Sequence, residues 1–160
     1  GLSGNSEAER QLYEKLKAVI STEHQVLEVT GTASKGSFNL ETGDIHVRSD
    51  LEYLQKIKTI LHEYGHAVDF KLHPDENIHR NRRELIAESV AYVVASHLGL
   101  DTSRYTTGYL RSWMKDKDEL KTVADAVQKV SAEIIKKLAE SSDSAFSIFT
   151  ENNKEDSDND

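Results

Sequence analysis

The residues with the clearest chemical meaning are His62, Glu63 and His66, which form the pattern H-E-x-x-H. On a helix, residues four apart lie on one face, so both imidazoles can reach a single ion. Zinc binds imidazole nitrogen at about 2.0–2.1 Å and keeps a fourth position open in catalytic sites. We therefore predict one Zn²⁺ per chain, held by His62 and His66, with Glu63 as the catalytic general base that takes a proton from water. The alternative is an exposed helix with two incidental histidines.

A catalytic zinc site needs a third protein ligand, and the chain has no cysteine to provide one. Glu84 and Glu88 stand four residues apart, just before small and apolar residues, so they share a helix face that enters the core. Buried carboxylates without partners are costly. A carboxylate that binds the metal, and another that bonds to a ligand histidine, would both have partners. For one of the two, a surface salt bridge to Arg80 or Arg83 is the alternative.

The first part of the chain predicts a helix followed by short strands. Apolar spacing predicts a helix over residues 7–20, opened by a capping box at Ser6. A β-prone run at 26–29 follows, and alternating residues at 38–40 and 45–47 flank a polar turn. That arrangement predicts a β-hairpin ahead of the H-E-x-x-H segment.

The rest of the chain predicts helices. Ser49 and Glu52 form a second capping-box pattern, which predicts the start of a helix that ends near Leu72. A third helix is expected from about Arg82 to Leu98, with Gly99 just beyond its end. A short helix is expected at 106–113, followed by a long final helix. The apolar stripe of that last helix comprises Leu120, Val123, Ala124, Val127, Val130, Ile134 and Leu138.

Composition restricts the classes of function. The 160 residues carry a formal net charge of −8, which argues against binding nucleic acid through phosphates. No apolar run is long enough to cross a membrane, so we expect no membrane partner and a cytoplasmic protein. The short basic cluster of Arg80, Arg82 and Arg83 is interpreted as a solvated or salt-bridged helix start. Residues 1–6 are expected to be a tag or disordered, and residues 141–160 an acidic disordered tail.

Several other residues carry weaker signals. Tyr109 is a candidate transition-state stabiliser, with packing beside Trp113 as the alternative. Asp69 could hold a ligand histidine, although a position on the helix surface is favoured. Gly65, in the middle of a helix, indicates close packing, for which a hairpin strand is the natural neighbour. Five further histidines lack paired spacing and are interpreted as loop or surface residues: His24, His46, His73, His79 and His97.

The metal-binding pattern resembles that of the gluzincin metallopeptidases. The similarity rests on H-E-x-x-H together with Glu84-x-x-Ala87-Glu88-x-Val90-Ala91. In such families the first glutamate of this second element binds the metal, and the acidic or amide residue four positions later supports a ligand. The resemblance therefore implies that Glu84 is the third zinc ligand and that Glu88 orients a ligand histidine.

More narrowly, the sequence resembles the metallopeptidase domains of ArdC-type antirestriction proteins and of the related ImmA/IrrE proteins of mobile genetic elements. The similarity covers about residues 36–138, and it includes the hairpin ahead of the zinc helix and the segment 109–113. It implies an α+β, zincin-like fold in which a small antiparallel β-hairpin or sheet packs on a helical bundle, with the zinc site between two helices. The domain is expected to span residues 7–140. Because the DNA-binding region of ArdC-type proteins is missing or reduced to one helix, no nucleic-acid role is expected for this domain.

The predicted function is therefore a zinc metallopeptidase that hydrolyses peptide bonds of a protein or peptide substrate and is encoded by a mobile genetic element. One alternative is a zinc-containing protein-interaction module with an anti-defence or regulatory role. Another is part of a DNA-associated antirestriction protein. An intact Glu63 favours the enzyme, because zinc binding alone does not require it.

Overall fold

A computed structural model describes residues 5–103 and 117–141 of the chain. Within these residues, four helices accompany one small sheet, which confirms the expected α+β class. The elements, in chain order, are α1 (Glu7–Ile20), β1 (Val26–Val29), β2 (Gly36–Phe38), β3 (Ile45–Arg48), α2 (Tyr53–Leu72), α3 (Arg80–His97) and α4 (Lys117–Glu140). In the same residues, no helix is both long and apolar enough to cross a bilayer.

The predicted start of α1 is confirmed in detail. The Ser6 hydroxyl accepts a hydrogen bond from the Glu9 backbone N–H at 3.2 Å, and the Glu9 carboxylate accepts one from the Ser6 backbone N–H at 2.9 Å. This reciprocal pair satisfies two of the amide groups that a helix start leaves without partners. One face of α1 is buried against the rest of the core through Leu12, Leu16 and Ile20.

The sheet is mixed, which corrects the prediction of a purely antiparallel arrangement. Strand order is β1-β3-β2, and β2 pairs with β3 antiparallel in the expected hairpin. However, β1 pairs with β3 in parallel, with Val26 opposite Ile45. The chain passes from β1 to the outer strand β2 before it returns to the centre, and this crossover lets β1 and β3 run in the same direction.

Helix α2 begins later than its sequence pattern predicts, and the capping box predicted for Ser49 and Glu52 does not form. The backbone N–H of Ser49 donates to the Val29 carbonyl at 2.8 Å, so Ser49 continues the sheet instead of opening the helix. Glu52 is the N-cap residue and makes no side-chain capping bond. The far end of α2, at Leu72, agrees with the prediction.

Helix α3 begins at Arg80, two residues before the expected start, and its end follows the expected pattern. Gly99 has a φ of +81°, a value that a residue with a side chain rarely adopts. Its N–H donates to Ser96 O at 3.0 Å, and the N–H of Leu100 donates to Ala95 O at 3.0 Å. These two bonds form a Schellman motif, which ends the helix.

Helix α4 packs its apolar stripe against the bundle. The stripe is buried at Val123, Val130, Ile134 and Leu138, whereas Ala124, expected in it, is exposed. Ala126 is buried instead, so the buried face of α4 is rotated slightly from the predicted one. The core is therefore formed by all four helices together with the inner face of β3.

The close contact at Gly65 is with α3 and not with the hairpin, which corrects the sequence interpretation. A Cβ atom at Gly65 would lie 3.4 Å from Val90 Cγ1 and 3.5 Å from Ala87 Cα. These are ordinary contact distances, so α2 and α3 lie close together beside the H-E-x-x-H turn with room for no more than a methyl group at Gly65.

We expect Gly65→Ala to be tolerated and Gly65→Val to be destabilising. Alanine would meet its neighbours near van der Waals distance and would gain up to about 1 kcal/mol of helix propensity. Valine would add two further methyl groups at the same place, and overpacking of this kind typically costs about 1–3 kcal/mol. Urea unfolding of the three proteins measures the difference. A valine variant as stable as the wild type would contradict this close packing.

Candidate metal centre

Helix α2 presents the H-E-x-x-H residues at the centre of the molecule. Ligand atoms of His62, Glu63 and His66 all lie within 4.8 Å of one another, so this group could hold a metal ion. Glu63 and His66 are buried, with 6% and 7% of their surface exposed, and His62 is half-buried. The cluster is therefore largely shielded from water, and part of the His62 side chain remains exposed.

Glu84 on α3 joins this group. Its Oε2 lies 3.2 Å from His62 Nε2, and its Oε1 lies 3.1 Å from His66 Nε2. Three tetrahedral ligands at about 2.0–2.1 Å from zinc would be separated by roughly 3.3–3.4 Å. Both Glu84 separations are close to this value, so Glu84 could complete a set of ligands with the two histidines. Glu63 also lies in this group, but the carboxylate that faces both ring nitrogens is that of Glu84.

Glu88 contacts the other nitrogen of His62. Its Oε2 lies 2.9 Å from His62 Nδ1. A proton on Nδ1 would be donated to this carboxylate, and the lone pair of Nε2 would then be directed toward Glu84 and the ion. In contrast, Nδ1 of His66 is buried and has no hydrogen-bond partner among the described residues.

The carboxylates around His62 and His66 shift the pKa values of the cluster. Burial alone would lower the pKa of His62, but hydrogen bonds to Glu84 and Glu88 raise that pKa to about 10. Hydrogen bonds to His62 and His66 hold the pKa of Glu84 well below its usual range. Glu84 is therefore ionised, whereas a metal ion must displace a proton from His62. Metal affinity should accordingly fall as the pH falls.

Burial has the opposite effect on Glu63. It raises the pKa of this carboxyl group, and the charges of His62 and His66 offset part of the rise. A carboxylate with a raised pKa is a stronger base than an exposed one, which suits proton abstraction from water near neutral pH.

Strand β2 lies against α2 next to Glu63, and the sequence did not reveal this contact. A Cβ atom at Gly36 would lie 2.5 Å from Thr59 Cγ2, 2.9 Å from His46 O and 3.2 Å from Glu63 Cγ. Only a residue without a side chain can occupy this place. A glycine inside a strand is the available sequence signal, because it often marks the close approach of another group.

The outer edge of β2 faces away from β3. Arg48 N–H donates to Lys35 O at 2.8 Å, and Asn39 N–H donates to Asp44 O at 2.9 Å. Because antiparallel pairing alternates along a strand, the backbone groups of Gly36 and Phe38 point to the opposite side. Gly36, the first residue of this strand, lies close to Glu63.

Asp69 differs from its sequence interpretation, whereas His24 and His73 lie in loops, as expected. Asp69 is completely buried and pairs with Arg83, so it is neither on the surface nor attached to a ligand histidine. His73 bonds to Asp69 at 2.9 Å, and His24 bonds to the Gly43 carbonyl at 2.8 Å. Asp69, His73 and His24 therefore connect separate segments of the chain through hydrogen bonds and an ion pair.

Two of the basic residues at the start of α3 form salt bridges. Arg83 is buried and forms a salt bridge to Asp69 at 3.2 Å, and Arg82 pairs with Glu119 at 3.4 Å, so the salt-bridged alternative holds for both residues. Tyr109 and Trp113 lie outside the described residues, as does the short helix expected there.

Comparisons with known proteins support the fold. No protein-family model matches the sequence, and no curated protein matches it. Among solved structures, the chain is similar to the Mn(II)-bound crystal structure of the antirestriction protein ArdC from the R388 plasmid, with a TM-score of 0.56 and 20% sequence identity. The similarity covers 82% of this chain and 53% of that one, so the chain spans about half the length of ArdC. The chain thus has an ArdC-like α+β fold.

Proposed function

We propose that this protein is a metal-dependent peptidase in which His62, His66 and Glu84 bind a zinc ion and Glu63 is the general base. The observation that carries the proposal is the convergence of two imidazole Nε2 atoms on one carboxylate, with a second, buried carboxylate beside them. Binding a structural ion would not require Glu63 at this place.

Zinc suits this combination of two nitrogen ligands and one oxygen ligand. When bound, the ion supplies Lewis-acid polarisation of a carbonyl group and lowers the pKa of water. Glu63 takes the proton of the attacking water and delivers it to the leaving amine. Glu88 holds His62 so that its Nε2 remains available.

An extended peptide is the substrate class that the surroundings favour. The outward backbone groups of Gly36 and Phe38 offer hydrogen bonds to an added strand, and Gly36 lies close to Glu63. Peptides commonly bind to an exposed sheet edge in this way. The net charge of −8 does not favour nucleic acid as the substrate.

A second candidate function is an antirestriction or other anti-defence module that acts by protein contact. It is favoured by the similarity of the fold to ArdC, whose solved structure contains Mn(II). Such a module could use the ion to join α2 and α3 without hydrolysing anything. The two candidates differ in whether a bound peptide is cleaved.

The test is a profile of peptides released from a lysate by the zinc-loaded protein, compared with the same protein after removal of zinc by a chelator. We expect cleavage products only with the zinc-loaded form, and restored activity when zinc is returned. A fully folded, fully loaded protein that cleaves no peptide would favour the interaction module.

Gly36→Ala should impair hydrolysis more than metal binding. The added methyl group would meet Thr59 Cγ2 at 2.5 Å and would push β2 away from Glu63. We expect turnover to fall by about tenfold or more, because small displacements of a positioned group are costly. Zinc content should be unchanged, since Gly36 contacts none of the proposed ligands.

The matched control is the double variant Gly36→Ala with Thr59→Ser, which removes the methyl group that is closest to the added one. Part of the lost turnover should return. Equal turnover in Gly36→Ala and the wild type would contradict the proposed importance of this contact.

A further inference from the structure

A buried ion pair joins the end of α2 to the start of α3. Arg83 Nη1 lies 3.2 Å from Asp69 Oδ2, and the two residues are 4% and 0% exposed. Asp69 also bonds through Oδ1 to His73 Nδ1 at 2.9 Å. Charges taken out of water require such full pairing, because a buried charge without partners is very costly.

Arg83 also binds the connection between the two helices. Its Nη2 donates to the His73 carbonyl at 2.9 Å and to the Asp75 carbonyl at 2.7 Å. The guanidinium carbon lies 3.8 Å from the centroid of the Phe70 ring. A planar guanidinium group with several fixed donors restrains its neighbours in more than one direction, which a lysine could not do.

Both members of the pair adjoin proposed metal ligands in the chain. Arg83 immediately precedes Glu84, and Asp69 is on α2 one turn after His66. His66 Nδ1 has no hydrogen-bond partner within the described residues, so the polar contact that orients this ring is the one between its Nε2 and Glu84 at 3.1 Å. The placement of His66 opposite Glu84 must therefore come from the way the two helices are held together.

We propose that Asp69 and Arg83 are positioning residues for the metal centre. They set α3 against α2 so that Glu84 faces His62 and His66. This inference rests on the metal site of the proposed function, but it does not require that the protein hydrolyse peptides. The competing interpretation is a buried pair that contributes only to general stability.

The two interpretations separate in a variant that keeps the fold but lacks the pair. Arg83→Met alone would leave the buried carboxylate of Asp69 with the His73 contact but without its guanidinium partner, and the protein could unfold. The double variant Asp69→Leu with Arg83→Met removes both charges, and apolar replacements of buried ion pairs are often neutral for stability. Arg82→Met is the matched control, because Arg82 is the adjacent residue on α3 and pairs with Glu119 instead.

Zinc affinity is measured by competition with a chelator, and the visible spectrum of the Co(II)-substituted protein reports the coordination geometry. We expect the double variant to bind zinc about 10- to 100-fold more weakly and to show an altered Co(II) spectrum, in line with the usual effect of residues that orient metal ligands. Arg82→Met should bind zinc as the wild type does.

The proposal would be overturned by a folded double variant with wild-type zinc affinity and an unchanged Co(II) spectrum. It would also fail if Arg82→Met weakened binding equally, since the effect would then not depend on the pair. If the double variant did not fold, Arg83→Lys would replace it, and wild-type affinity in that variant would equally overturn the proposal. A wild type that binds no zinc would overturn the metal site, and with it this inference.

Discussion

Replacing Glu63 with glutamine is expected to lower peptide hydrolysis by about 10²- to 10⁴-fold, the usual cost of losing a general base. The substitution keeps the size of the side chain but removes its ability to accept a proton from water. Because Glu63 is not one of the three proposed ligands, zinc content should be the same as in the wild type. Turnover and metal content are therefore measured on the same two preparations.

Glu52→Gln provides a matched control for this prediction. It makes the same change of charge on an exposed residue at the start of α2 and should leave turnover unaffected. Equal activity of Glu63→Gln and the wild type, at full zinc occupancy, would show that Glu63 is not the base. Loss of zinc from Glu63→Gln would indicate that this carboxylate also helps to bind the ion.

Glu84→Ala is expected to weaken zinc binding by more than about 100-fold, whereas Glu88→Ala should weaken it by about 10- to 100-fold. The reason is that Glu84 faces both ring nitrogens, at 3.2 Å and 3.1 Å, whereas Glu88 contacts only Nδ1 of His62. Chelator competition gives both affinities. The opposite order would exchange the roles of the two glutamates.

Thermal unfolding provides an independent measurement of the same site. An ion that binds only the folded chain stabilises it by about 2.7 kcal/mol when its free concentration is 100 times the dissociation constant. Ligands from α2 and α3 meet only in the folded protein, so the wild type should gain this stability. Glu84→Ala should gain little at the same zinc concentration, and an equal gain would argue against Glu84 as a ligand.

Much of the structure could be predicted wherever the signal was local. The capping box at Ser6 and the position of Gly99 just beyond the end of α3 each depend on residues close in sequence, and both are found as expected. The spacing of His62 and His66 also acts within one helix, whose geometry is the same in any fold. For this reason the sequence could indicate the chemistry of the cluster before the fold was known.

Patterns that depend on distant partners were less reliable. Ser49 has the sequence pattern of a helix cap, but its N–H donates a hydrogen bond to the Val29 carbonyl. Ser49 therefore extends the sheet and does not cap α2. Gly65 indicated close packing correctly, yet the neighbouring element is α3 and not the hairpin. A local pattern identifies a residue that needs a partner, but it does not identify which partner the folded chain supplies.

The sequence by itself determined the local arrangement: two histidines on one helix face, a glutamate between them in the chain, and a pair of glutamates on a later helix. Only the tertiary structure decided how these groups meet, with Glu84 between the two rings and Glu88 behind His62. It also placed Gly36 against Glu63 and buried Asp69 with Arg83. The physical reason is that helix periodicity is fixed by backbone geometry, whereas contacts between separate elements depend on how the whole core packs.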